Sequence, residues 1–258
     1  MKRASATRIL SEMFPARKIS IVGYRRTFHS TIVVFTMERE NGAERETLVA
    51  KQNASRNEDE VEHEYEEQLK FYQATCDKII SAPEPISVNS RLRIIVMRHV
   101  EGSSLKTILL KFFPVDETTQ SNAMRLSARA LASYHRSSLE KSENGISISS
   151  PYLDPNPDTS ELADILPRLS LGYQVKPFLD FSPSNVMLQD LGGQAVLRLI
   201  DFPHVRLFSI PHLDLARFRF SLRVIKEHPR FRITRISRWE VDDLFGIFIE
   251  EYQTCLRR

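Results

Sequence analysis

Asp180 and Asn185 stand five residues apart in the stretch Phe178-Leu179-Asp180-Phe181-Ser182-Pro183-Ser184-Asn185-Val186-Met187-Leu188. Asp201 follows the apolar pair Leu199-Ile200 a little further on. A carboxylate, an amide five residues later and a second carboxylate ending an apolar strand suit phosphoryl transfer. The first can take the proton of an attacking hydroxyl, and the other two can hold the metal that neutralises nucleotide phosphates. The same residues also suit a turn, Ser182 to Asn185, whose polar groups satisfy the backbone between two buried strands. Lys51 adds a second clue, because it terminates the apolar strand Thr47-Leu48-Val49-Ala50. A buried ammonium without an anion is expensive. Nucleotide α- and β-phosphates would serve as that anion, and so would an exit from the sheet into solvent.

These residues need elements to position them. From Lys18 to Gln52 the pattern is β: Ile19–Gly23, Thr31–Thr36 and Thr47–Lys51 alternate as strands, with a turn at Asn41-Gly42. Glu58 to Thr75 is a helix with seven acidic residues between Glu58 and Glu67, and an apolar stripe at Val61, Tyr65, Leu69 and Tyr72. Most of its carboxylates belong to a solvated face, but Glu67 or Glu64 can turn inward to fix Lys51. Pro83 and Pro85 close that region. Arg91 to Met97 is then a strand, running into the connector Arg98-His99-Val100-Glu101-Gly102. The backbone around Met97 and His99 can pair with an adenine edge, or the connector is a plain strand-to-helix turn. Helices are expected over Leu105–Phe113, Thr119–Ser137 and Glu161–Leu171, with a loop at Ser142–Asp158. Gly192-Gly193 is the hairpin turn after the opening stretch, and the tail from Pro211 is helical.

Composition sets the bounds. The 258 residues suffice for one large domain or two smaller ones, and 41% hydrophobic with 27% charged residues is ordinary for a globular chain. Two cysteines, Cys76 and Cys255, are too few for a disulfide framework and lack metal-ligand partners. The expectation is a reducing, cytoplasmic setting without structural zinc. No apolar run approaches the roughly 18–20 residues of a membrane span. The basic N-terminus, Met1–Lys18, suits a short amphipathic helix on the first sheet, or a transit segment. Between Arg217 and Arg238 stand eight Lys or Arg residues and one acid, Glu227, with Phe218, Phe220, Phe231 and Trp239 among or beside them. That mixture fits a helix pair with buried aromatics, RNA or membrane binding, or an anionic substrate. The net charge of +3 does not by itself imply nucleic acid.

Taken in order, Lys51, the acidic helix, the Met97–Leu105 connector, Asp180, Asn185 and Asp201 give the chain a pattern that resembles the aminoglycoside phosphotransferase and choline kinase group of kinase-like enzymes. Leu126–His135 resembles the helix that precedes that group's catalytic loop. His212-Leu213-Asp214-Leu215-Ala216 resembles its Asp-Leu-Ala helix start. The resemblance runs from about residue 18 to 220. It implies an α+β, two-lobed protein kinase-like fold, with a β-sheet N-lobe over 1–98, a mainly helical C-lobe over 99–258 and the nucleotide between them. It further implies Asp180 as base, Asn185 and Asp201 on Mg2+, Lys51 on ATP phosphates fixed by Glu67 or Glu64, and Asp214 as brace of the catalytic loop.

The chain departs from the group's pattern at three places, one of them Pro203 after the metal strand, which speaks against a mobile Gly-based switch there. Phe178-Leu179-Asp180 stands where the group has His-Gly-Asp, so Leu179 must take the backbone geometry of a glycine. The expected phosphate loop, Gly23–Thr31, holds one glycine, leaving Thr27, Ser30 and backbone amides to meet phosphate, with Arg25 or Arg26 adding charge. The function expected is transfer of the ATP γ-phosphate to a hydroxyl of a small acceptor, anionic ones included, with no nucleic acid or membrane partner. The alternative is a catalytically weak or inactive kinase-like binding protein.

Overall fold

The computed structural model describes residues 3–27, 29–38, 45–75, 79–110, 116–138, 140–141, 173–191, 194–204, 211–229 and 239–257. The expected features at Asn41-Gly42, Ser142–Asp158, Glu161–Leu171, Gly192-Gly193, Cys76 and residues 230–238 lie outside them. The fold is α+β, and the chain divides into two compact units, Met1–Cys76 with Ala82–Glu101, and Asp77–Ser81 with Gly102–Arg258.

The first unit is a five-stranded antiparallel sheet. Its strands are β1 (Ile19–Arg26), β2 (Ser30–Glu38), β3 (Arg45–Asn53), β5 (Pro85–Asn89) and β6 (Ile94–Arg98), in the order β1-β2-β3-β6-β5. The two-residue β4 (Ile80–Ser81) belongs to the second unit. Alternation of side chains along each strand gives the sheet two faces. One face carries Val33, Phe35, Leu48, Ala50, Ile94 and Val96, and helix α1 (Arg3–Met13) covers it with Ala6 and Leu10. The other face carries Ile95 and Met97 against Val61 of helix α2 (Glu58–Thr75). Lys51 follows Ala50 and so points to the α2 face.

Two expectations about this unit are corrected. The strand expected from Arg91 begins at Ile94, because Asn89 accepts a hydrogen bond from the Leu92 N–H and Arg93 sits at φ +58° in a turn. The buried face of α2 is not the expected apolar stripe. Val61, Glu64, Gln68, Phe71 and Thr75 point inward, whereas Tyr65, Leu69 and Tyr72 are half-buried. Helical period permits either stripe, and the choice follows from polar partners waiting on the sheet. Gln68 donates to the Pro83 carbonyl at 2.9 Å, and Glu64 meets Lys51.

The second unit holds a sheet in the order β4-β11-β10-β7, from β7 (Ser103–Ser104), β10 (Val186–Leu191) and β11 (Gln194–Leu199) with β4, and a short pair β8 (Glu140–Lys141) and β9 (Tyr173–Gln174). Its helices are α3 (Leu105–Leu109), α4 (Glu117–Arg136), α5 (His212–Lys226) and α6 (Val241–Leu256). Helices α4 and α6 pack together, and an aromatic cluster fills the core beside them. Phe178 lies edge-on to Tyr134 and Phe181, and Phe218 stacks on Phe248 at 4.4 Å. Among the described residues no helix is long and apolar enough to cross a membrane.

Candidate active site

In the second unit the antiparallel hairpin of β10 and β11 pairs Val186 with Leu199, and the Ile200 N–H donates to the Asn185 carbonyl at 3.0 Å. Asn185 and Asp201 therefore leave the same end of one hairpin. Asp201 takes φ +60° there, a conformation that Asp tolerates better than most residues. Asn185 is buried, and its Nδ2 donates both to the Asp180 carbonyl, at 2.9 Å, and to Asp180 Oδ2, at 3.0 Å. That leaves the amide Oδ1 as the atom it can offer a cation. Asp180 itself is 57% exposed, and its Oδ1 lies 3.4 Å from Arg217 Nε.

What holds this loop is Asp214. It is fully buried near the start of α5, where Oδ2 accepts the Phe178 N–H at 2.6 Å and Oδ1 accepts the Leu179 N–H at 2.8 Å. His135, from the last turn of α4, reaches Oδ2 through Nε2 at 2.9 Å, and its Nδ1 is 2.7 Å from the Tyr252 hydroxyl of α6. A carboxylate buried this deeply is tolerable because each oxygen is hydrogen-bonded. Three helices thus converge on the backbone two residues before Asp180. Between the two braced amides and Asp180, Leu179 sits at φ +65°, and the Asp180 N–H donates back to the Phe178 carbonyl at 2.8 Å, closing a tight turn. Phe178 is anchored by packing, since its ring is 1% exposed among Tyr134, Phe181 and Phe202.

In the first unit Lys51 Nζ meets Glu64 Oε1 at 2.7 Å, with the lysine side chain 9% and the glutamate 1% exposed. Of the two glutamates that the sequence left open, Glu64 is the one paired with Lys51. Glu67, one turn on, is buried with Lys70 Nζ 3.2 Å away. The second oxygen of Glu64 accepts from Asn53 Nδ2 at 3.0 Å and from Arg56 Nη1. Two cations and one amide thus converge on one buried carboxylate, which holds the Lys51 ammonium in a fixed place.

Other expected contributors are engaged elsewhere. Ser30 donates its N–H to Thr27 Oγ1 at 2.9 Å and shares its hydroxyl with the same atom at 3.0 Å, so this corner satisfies itself. Met97 lies within β6, paired with Val49 and Pro85. The Arg98 N–H donates to the Glu84 carbonyl and the His99 N–H to the Thr47 carbonyl, so neither donor is open to an adenine edge. Arg219, one of the basic residues between Arg217 and Arg238, is 8% exposed, bonded to Asp242 at 2.8 Å, with its guanidinium 5.9 Å from the Phe245 ring centroid.

Sequence reasoning missed His135 and Tyr252. The visible signal was a polar imidazole one residue past the apolar set Ala130, Leu131 and Tyr134, where α4 faces the core. Among the described residues no three His, Cys, Asp or Glu cluster as a metal cage. Asn185 and Asp201 offer a hard oxygen pair, the kind of protein share that Mg2+ takes when substrate phosphates and water complete its shell. No protein-family model matches the chain, and no curated protein matches it in sequence.

Proposed function

We propose that the chain is an ATP-dependent phosphotransferase of the aminoglycoside phosphotransferase and choline kinase-like group, acting on the hydroxyl of a small molecule. The observation that carries this reading is the loop around Asp180. Its carboxylate is presented to solvent while its backbone is clamped from below by buried Asp214, and Asn185 orients it from the side. A turn that only satisfied backbone groups would not need a buried carboxylate held by two further helices.

In this reading Asp180 accepts the proton of the acceptor hydroxyl as its oxygen bonds to the γ-phosphorus and the bond to the β,γ-bridging oxygen breaks, releasing ADP. Asn185 limits rotation of the Asp180 carboxylate, so the base is positioned before the substrate arrives. Asn185 Oδ1 and the Asp201 carboxylate would hold Mg2+, which supplies charge neutralisation to the phosphates when bound. Lys51, kept in place by Glu64, would meet the nucleotide's phosphate oxygens. The two-lobed kinase-like architecture is part of the same proposal, supported by the antiparallel sheet with its acidic helix in one unit and the mainly helical second unit.

Thermal unfolding with ATP and Mg2+ tests the binding half. At about 100 times Kd the wild type should gain about 2.7 kcal/mol, and Asp201→Asn should lose most of that gain. Asp180→Ala should cut phosphate transfer by roughly 10²–10⁴-fold while nucleotide still binds. Nucleotide binding without transfer is the second reading, favoured by Arg217 lying against Asp180 Oδ1. It is selected if ATP–Mg2+ stabilises the protein while wild type and Asp180→Ala alike transfer no phosphate.

A further inference from the structure

An open cavity of about 350 Å³ in the second unit has Asp180 in its lining, together with Ser182 and Ser184 of the same loop. One stripe of α5 lines it: Arg217, Ser221 and Val224 recur every three or four residues, the spacing that keeps side chains on one face, and His228 lies just past the end of the helix. Lys106 and Leu110, also four apart, line it too, and the Lys106 N–H donates to the Pro183 carbonyl at 2.9 Å. That bond fixes the base of the lysine to the loop that carries Asp180.

The charges in this cavity are unequal. Lys106 and Arg217 line it near the Asp180 loop, His228 lies at its far end, and Asp180 is the one carboxylate among its described lining residues. The remainder is apolar: Leu110, Pro183, Phe220, Val224 and Ile225. Val224 is 51% exposed, so its side chain is accessible to a molecule in the cavity. From Arg217 to Ile225 is eight residues of α5, about 12 Å at helical rise, so the apolar wall runs lengthwise from the charged end.

We infer that the acceptor is an anionic alcohol with an apolar body, a hydroxy acid or a hydroxylated phosphate ester. Its hydroxyl lies at Asp180, its anionic group on Lys106 and Arg217, and its hydrocarbon or aromatic part along Phe220 and Val224. This rests on the reading of Asp180 as the base. A cationic amino alcohol would meet two positive side chains here, with Arg217 already sharing the one carboxylate. An anionic acceptor relieves that arrangement, since it can draw Arg217 away from Asp180 Oδ1 and leave the oxygen to the hydroxyl. Electrostatic complementarity of this kind discriminates between partners more than it adds raw affinity.

The test uses one skeleton in three charge states: 3-phenyllactate, 3-phenylpropane-1,2-diol and phenylalaninol. Glycerol 3-phosphate separates a phosphate from a carboxylate preference. Binding to the full chain is followed by thermal shift and calorimetry, and turnover by ATP consumption. We expect at least one of the two anions to bind and turn over, with the neutral and cationic partners weaker by roughly tenfold or more, and raised salt to weaken the anion. Lys106→Gln should raise the anion's Kd and KM by roughly tenfold and leave the KM for ATP in place. The inference is overturned if phenylalaninol or the diol binds as well as the anions, if neither anion gives a shift that Lys106→Gln removes, or if Lys106→Gln acts on ATP instead. If ATP–Mg2+ gives no stabilisation while anion binding persists and depends on Lys106, the kinase reading falls and the anion site stands.

Discussion

Leu179 carries the sharpest residue-level tension in the molecule. A leucine at φ +65° pays for its Cβ against the neighbouring carbonyl, about 1–2 kcal/mol relative to an ordinary conformation. Asp214 nonetheless accepts the Phe178 and Leu179 N–H groups that lead into it, at 2.6 and 2.8 Å. The clamp is therefore what keeps the strained turn, and the turn is what sets Asp180 out from the aromatic core. Leu179→Gly should relieve the backbone and be stabilising by up to about 1 kcal/mol, whereas Leu179→Val, β-branched at positive φ, should destabilise by about 1–2 kcal/mol. Urea unfolding of the two variants checks both signs. A destabilised glycine variant would show that packing of the half-buried leucine outweighs the strain.

Two elements depend on single positions. Gly102 precedes β7 at φ +117°, and a Cβ there would lie 2.2 Å from the Leu188 carbonyl oxygen of β10. The strand that carries Asn185 into the site can take β7 as a neighbour only because nothing projects from this residue. Gly102→Ala should destabilise by about 2–4 kcal/mol, since both the contact and the φ are unfavourable; equilibrium unfolding measures it. Helix α4, which delivers His135, starts at Asp116, whose Oδ1 accepts the Thr119 N–H at 2.8 Å and whose Oδ2 accepts the Thr119 hydroxyl at 2.6 Å. Those bonds, the side-chain one foremost, hold the Asp116 carboxyl below its ordinary value of 3.8. A carboxyl lowered on folding contributes stability that is complete above its unfolded pKa and lost as pH falls through the folded one. The stability difference between wild type and Asp116→Asn should therefore be constant well above pH 3.8 and shrink as pH falls below it, as read from denaturant unfolding at each pH.

At the scale of the whole molecule the residues proposed for chemistry are divided along the chain. Lys51, Glu64 and Arg56 belong to the first unit, and Asp180, Asn185, Asp201 and Asp214 to the second. In the first unit the discriminating comparison is Glu64 against Glu67. Glu64→Gln removes the charge shared by Lys51 and Arg56, so it should raise the Kd for ATP–Mg2+ roughly tenfold and cost about 3–5 kcal/mol of stability, because it leaves buried charge uncompensated. Glu67→Gln should change the nucleotide affinity far less. Calorimetric titration of the two variants decides it, and equal effects would remove Glu64 from its assigned place.

Much of the organisation was legible in the residues alone. Alternation placed β2 and β3, helical period placed α2 and α4, and the Asp180, Asn185 and Asp201 spacing marked the hairpin end where polar side chains gather. These are local properties, set by side-chain period and turn chemistry within a few residues. The choice of Glu64 over Glu67 was not local. It depended on which face of β3 Lys51 occupied and how far α2 was rotated against it. The burial of Arg219 beside an exposed Arg217 was likewise decided by packing, and His135 meets Asp214 and Tyr252 across 79 and 117 residues of chain separation. Sequence by itself determined which residues had the chemistry to act; only the tertiary structure decided which of them meet, because partners distant in the chain are chosen by the burial and charge of the surfaces that close together.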